Sequence, residues 1–280
     1  MREHAPALAK ESPERIQAEL DKLMKSDDPA KAVRLAHETG MLRYILPEVD
    51  DAFGFDQRNP HHTYDLGTHL LNVLDNTARQ TKDPDVRMAA LLHDIGKPAS
   101  QWINPDTGFG HYYKHPDGQG ENHEDVGATM ASNRLKALKY PNKRVDRIEH
   151  LVQHHMYPDF SSKNGARKFI NRVGDEHAED LFVLRAADRA GKGTDDYQAL
   201  KTPVAKQQEM VQAVRDAGEA TDVSSLAING NDLIGLGIKP GPAFKQILDT
   251  LTDQVLENPE LNDRQALLNY VRQELIPDVQ

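Results

Sequence analysis

The sequence predicts an all-α protein. Apolar residues recur at helical spacing through most of the chain, helix starts headed by proline follow capping side chains, and alternating β-branched stretches are nearly missing. Ser12-Pro13 and Asp28-Pro29 each pair a capping oxygen with proline at the first helical position. The second start runs through Val33, Leu35 and Ala36 to Gly40, a helix stop. Leu66, His69, Leu70, Val73 and Thr77 share one face of the next helix. Further helices are expected over residues 87–93, 124–138, 143–155, 175–190 and 203–217, then an amphipathic pair over 242–256 and 263–275. Two stretches break the pattern. Residues 100–122 form a long loop rich in glycine and proline, holding Trp102, Phe109, Tyr112, Tyr113, His111 and His115. Residues 218–241 carry turn chemistry.

Composition narrows the function classes. With 280 residues the chain can bury a substantial core, and its 28% charged residues suit a helical protein in water. Net charge is −10, so no global basic field draws it to nucleic acid or an anionic membrane; any such contact must be local. Cysteine is absent, which excludes disulfides, zinc fingers and a cysteine nucleophile. There is no apolar signal core and no run approaching the roughly 18 apolar residues of a membrane span. A cytoplasmic location is the expectation.

The chemistry gathers around Leu-Leu-His-Asp-Ile-Gly-Lys at 91–97, where His93 and Asp94 offer adjacent nitrogen and oxygen ligands. His69, His123, His154, His155 and Asp188 lie on or beside separate expected helices, the way helical bundles assemble metal sites. Each has an ordinary alternative: a lone histidine on an apolar face is usually core, and Asp188 has Arg185 and Arg189 nearby as salt-bridge partners. It is the combination that points to metal. Periodicity favours His155 over His154, since Val145, Ile148 and Val152 share its face, yet both stay open. A sulfur-free nitrogen and oxygen set suits Mn, Fe, Co, Ni or Mg, as one ion or two. Such an ion acidifies water, and two ions clamp a phosphoester, with Asp94 as the natural bridge. Lys97 stands one turn beyond His93 as a phosphate partner or a plain solvated lysine; Arg189 and Lys192 are weaker phosphate candidates.

These residues resemble the HD superfamily of phosphohydrolases, whose minimal signature maps here onto His69, His93, Asp94 and Asp188. The resemblance extends to the body of bacterial CCA-adding tRNA nucleotidyltransferases. It rests on Glu14-Arg-Ile-Gln-Ala-Glu-Leu20, Thr39-Gly-Met-Leu-Arg-Tyr-Ile-Leu-Pro-Glu48, His61-His-Thr-Tyr-Asp65 and His93-Asp-Ile-Gly-Lys-Pro98. His123-Glu-Asp-Val-Gly-Ala128, Ile228-Asn-Gly-Asn-Asp-Leu233 and Gly237-Ile-Lys-Pro-Gly-Pro242 continue it. The resemblance implies neck-like helices over 1–55, an HD domain over 56–200 and a helical tail over 201–280. It implies a metal-dependent 2′,3′-cyclic phosphodiesterase and phosphatase, with Asp94, Lys97 and His123 in catalysis. The family's nucleotidyltransferase head should precede Glu14, where few residues stand, so no nucleotide addition by this chain is expected. The apparent insertion 116–122 makes His115 a rival to His123.

The alternatives are a nucleoside mono- or triphosphatase on the same scaffold, or a tRNA-binding module. For RNA, basic residues gather at Arg134, Lys136, Lys139, Lys143, Arg144 and Arg147, and again at Lys163, Arg167, Lys168 and Arg172. Lys143, Arg144, Arg167 and Lys168 are the candidate contacts, against the plain reading of a solvated charged surface.

Overall fold

Residues 84–92 are apolar on nearly every face, which demands burial from all sides. The computed structural model, describing residues 2–59, 63–193 and 202–276, supplies it. The chain opens with helices α1 (Pro13–Lys25) and α2 (Pro29–Glu38), each capped as the sequence requires. The Ser12 side chain accepts from the Arg15 amide at 3.3 Å and Asp28 from the Lys31 amide at 3.0 Å. Gly40 ends the turn after α2 at φ +72°, a conformation that favours glycine. Single-turn helices α3 (Leu42–Ile45) and α4 (Pro47–Asp50) follow, then α5 (Leu66–Gln80), capped by Asp65. Helix α6 (Pro84–Leu92) is buried from Asp85 to Leu92, packed against α1, α5 and a later helix, α9. A short α7 (Lys97–Ser100) leads into α8 (His123–Ala137) and α9 (Asn142–His154), which pack extensively on each other.

Among the described residues the architecture is all-α with one exception. The expected loop 100–122 contains a small antiparallel hairpin, β1 (Trp102–Ile103) paired with β2 (Gly110–His111), Trp102 opposite His111. An Asn104 side chain accepting from the Asp106 amide at 2.9 Å, with Gly108 at φ +70°, forms its turn. Two-residue strands leave too little alternation for the sequence to betray them.

Helices α10 (Lys163–Val173), α11 (Ala178–Gly191), α12 (Val204–Asp216), α13 (Gly230–Gly235), α14 (Pro242–Glu257) and α15 (Arg264–Tyr270) complete the chain. The packing divides it into two compact units. One draws on the described residues of Met1–Tyr157 and Glu179–Lys201, the other on Pro158–Ala178 and Thr202–Gln280. The α10 segment packs on α12 and α14, and the tail has a core of its own in which Leu233, Leu251, Val255, Leu267 and Val271 are buried. In this second unit Ile-Asn-Gly-Asn-Asp-Leu is helix-start chemistry. Asn229 accepts from the Asn231 amide, and Asp232 accepts from the Asn229 amide, both at 2.9 Å.

Arg87 is the least expected core residue, fully buried in α6. It donates to the carbonyls of Thr81 (2.8 Å), Met24 (2.5 Å), Ser26 (2.8 Å) and Ala78 (2.9 Å), tying together the ends of α1 and α5. These are carbonyls at or beyond helix C-termini, which lack helical partners of their own. Arg87→Leu is therefore expected to cost about 3 kcal/mol or more, from stranded buried acceptors. Urea unfolding should show a lower midpoint, only partly restored in Arg87→Lys; an unchanged midpoint would show that the guanidinium is dispensable.

Candidate metal centre

Helix ends build the site. His93 closes α6, His155 closes α9, His123 opens α8, and His69 lies on the second turn of α5, while Asp188 comes from α11. The backbone fixes how each imidazole presents itself. His93 Nδ1 donates to the Ala90 carbonyl at 2.9 Å and His155 Nδ1 to the Val152 carbonyl at 2.7 Å. Each thereby satisfies a last-turn carbonyl of its own helix. His69 Nδ1 donates to the Gly191 carbonyl at 3.3 Å and His123 Nδ1 to the Tyr112 carbonyl at 3.0 Å. A carbonyl only accepts, so each ring carries a proton on Nδ1 and turns its Nε2 inward.

They converge on two buried carboxylates. Asp94 Oδ2 lies 3.2 Å from His93 Nε2 and 3.4 Å from His69 Nε2. Its other oxygen, Oδ1, lies 3.2 Å from His123 Nε2 and 3.4 Å from His155 Nε2. Asp188 Oδ1 is 3.3 Å from His69 Nε2 and 3.8 Å from His93 Nε2. His69 and His93 bring their Nε2 atoms within 3.3 Å of each other. The Nε2 atoms of His123 and His155 are buried and make no hydrogen bond. Lone pairs and carboxylate oxygens crowded together in a dry place require a cation between them. His69, His93 and Asp188 form one group able to hold an ion, and His93, Asp94 and His155 another. The donor set fits a divalent metal.

Electrostatics agrees. Burial opposes charge on His93, but Asp94 and Asp188 outweigh it and raise the imidazole to about 9. Burial pushes His155 down to about 4, with the His93 charge adding to the effect. Asp94 stays ionised well below the usual carboxylate range because His93 and Lys97 overcome the burial penalty. Lys192 does the same for Asp188, with the neighbouring His69 and His93 imidazoles adding to it.

Around the cluster lies a cavity of about 290 Å³, lined by Asp94, Lys97, His123, His155, Asp188 and Lys192 among others. Lys97 Nζ sits 2.7 Å from Asp94 Oδ2 and donates to Gln57 Oε1 at 2.9 Å; Lys192 Nζ is 3.0 Å from Asp188 Oδ2. Gly96 makes the enclosure possible. A side chain there would run into the His123 carbonyl and the Gly127 amide, so only glycine lets α8 lie this close to the His-Asp turn.

Several sequence candidates lie elsewhere. His154 packs its ring on His150, centroids 4.3 Å apart, while His155 takes the place beside Asp94. His115 pairs with Asp117 at 2.8 Å beside Trp102, leaving the site to His123. The cavity lining takes Lys192 but not the buried Arg189. Of the candidate RNA contacts, Arg144 is engaged by Asp21 and Asp85, and Arg167 by Glu219 and the Leu256 carbonyl. Lys168 pairs with Glu257, and Lys143 is exposed. His61 and His62 lie outside the described residues. Sequence reasoning missed Gln57 and Glu124; nothing in the pattern around Gln57 marks it as a partner of a lysine forty positions away.

Comparison with known proteins agrees with this geometry. Residues 66–190 match the HD domain, and residues 1–53 match the probable RNA and SrmB-binding site of polymerase A. The A-adding tRNA nucleotidyltransferase of Deinococcus radiodurans is 31% identical over 86% of this chain and 54% of its own length. The Multifunctional CCA protein of Xanthomonas campestris pv. campestris is 42% identical over 84% of this chain and 54% of its own. The CC-adding tRNA nucleotidyltransferase of Thermus thermophilus is 32% identical over 63% of this chain and 39% of its own. The chain spans about half the length of most of these curated relatives. It carries an HD domain, the domain of a metal-dependent phosphohydrolase superfamily, within a body like that of bacterial tRNA nucleotidyltransferases. No described helix is long and apolar enough to cross a membrane.

Metal uptake should compete with the proton on His93. Below about 9 the metal-free cluster holds that proton, and binding must expel it. Titrating Mn²⁺ into weakly buffered apoprotein near pH 7 is expected to release about one proton per chain, and apparent affinity should rise up to tenfold per pH unit. Flat affinity between pH 6 and 8 would contradict this protonation state.

Proposed function

We propose that this chain is a metal-dependent phosphohydrolase acting on nucleotide phosphoesters, with 2′,3′-cyclic phosphates as the preferred class. The observation that carries the proposal is the inward convergence of four Nδ1-anchored imidazoles on Asp94 and Asp188, inside a cavity that also holds two lysines. His69, His93, Asp94 Oδ2 and Asp188 Oδ1 would hold one divalent ion, and Asp94 Oδ1, His123 and His155 a second. A divalent ion supplies Lewis acidity and acidifies water.

The chain's own groups do the rest. Asp94 directs one oxygen to each pair of imidazoles and so sets their separation. Lys97 and Lys192, each held beside a carboxylate, present ammonium donors to a phosphate's oxygens. Glu124 Oε2, 3.1 Å from His123 Nδ1, joins Tyr112 in orienting that ring.

A second reading has its own support. The match of residues 1–53 to an RNA-binding region, with relatives that act on tRNA, favours RNA as the source of the ester or as a bound partner. A gel-retardation assay with tRNA at about 50 mM salt tests it, since phosphate contacts are strongest at low salt.

For the leading reading, purified protein is expected to hydrolyse bis(p-nitrophenyl) phosphate and adenosine 2′,3′-cyclic phosphate faster than deoxynucleoside triphosphates. Chelation should abolish the activity. The double variant His93→Ala, Asp94→Ala should lose roughly 10³-fold or more, matching several kcal/mol of lost charge stabilisation. Retained activity in a folded double variant would end the proposal.

A further inference from the structure

The hairpin beside the metal cavity has no role in holding metal, yet it is built with care. Trp102 stacks on His111 with ring centroids 4.6 Å apart and 29° between planes. It meets His115 edge-on at 4.5 Å and Tyr113 at 5.8 Å. The Trp102 indole N–H donates to the Tyr113 carbonyl at 2.9 Å, and the Tyr113 ring lies 5.1 Å from His111. Tyr112, the preceding residue, is anchored inward: its carbonyl accepts from the His123 amide at 2.8 Å as well as from His123 Nδ1. The backbone of Tyr113 is thus fixed on both sides, one residue from a group that touches the metal cluster.

Its side chain is not buried. Tyr113 is 51% exposed, although burying an aromatic ring is normally favourable. It lines the metal cavity together with His111 and the also exposed Met156, which follows His155 directly. The cavity therefore has two chemistries: carboxylates, imidazoles and ammonium groups at the bottom, and a ring and a thioether at the rim. A ligand matching both has an anion at one end and a flat apolar group at the other. The volume of about 290 Å³ stands at the small end of ligand sites, which suits one nucleotide better than a polymer segment or an acyl chain.

Building on the phosphohydrolase reading, we propose that Tyr113 is the specificity residue that stacks on the nucleobase of the substrate while Lys97 and Lys192 face its phosphate. His111 and Met156 complete the rim against which the base lies. The base is recognised by its face, so purines should bind better than pyrimidines because they offer more stacking area.

Calorimetric titration of the full chain with AMP and with ribose 5-phosphate separates base from phosphate. Wild-type protein is expected to prefer AMP by about 5- to 150-fold, the range of one base–aromatic stack. Tyr113→Ala should bring that ratio close to one, and Tyr113→Phe should keep it. Trp102, the single tryptophan of the chain, gives a second signal: AMP should alter its emission and ribose 5-phosphate should not. With adenosine 2′,3′-cyclic phosphate, Tyr113→Ala should raise KM far more than it lowers kcat. Equal affinity for the two ligands, no binding of either, a preference surviving in Tyr113→Ala, or one lost in Tyr113→Phe would each overturn the proposal. A base preference in a protein that hydrolyses no phosphoester would leave this assignment standing and remove the enzymatic one.

Discussion

Everything about the site depends on where four protons are. Backbone carbonyls claim the Nδ1 hydrogens of His69, His93, His123 and His155, so the second nitrogen of each ring is the one turned toward the carboxylates. Accepting groups repel one another when packed within 3.5 Å around two carboxylates, and burial removes the water that would relieve them. The fold keeps this arrangement through helix ends. A last-turn carbonyl already needs a donor, and His93 and His155 provide one while aiming their rings at the centre. Local helix chemistry and site chemistry are satisfied by the same hydrogen bonds.

The packing around this cluster follows from it. Helix α6 must be buried all round for its terminal His93 to sit in a dry place, which explains why Arg87 answers to carbonyls and not to a carboxylate. Gly96 and Gly127 let α8 approach the His-Asp turn until His123 reaches Asp94. Lysines replace water as the counter-charge at the cavity, each beside one carboxylate.

Much of this was legible in the sequence, for definable reasons. Helices α1 and α2 announce themselves through Ser12 and Asp28, whose caps act over three residues. His69, His93, Asp94 and Asp188 stand out because polar groups interrupt apolar faces. His155 could be preferred over His154 by its face, although both belong to the same turn. What was hidden is whatever depends on long-range pairing. Arg144 and Arg167 look like a basic patch until Asp21, Asp85 and Glu219 arrive from distant segments. Gln57 carries no local signal, and the division into two units reflects packing that periodicity does not encode.

The order in which the ligands occur along the chain has a consequence for synthesis. The chain leaves the first unit after Tyr157 and returns at Glu179, bringing Asp188 and Lys192 with it. A nascent polypeptide emerging from the ribosome therefore exposes all four imidazoles and Asp94 well before the final carboxylate arrives. Closing that long loop belongs to the slow, non-local part of folding, so an ion captured early would rest in an incomplete cage with fast exchange. The group of His69, His93 and Asp188 is complete only once α11 docks, which makes this site a late element of the folded protein.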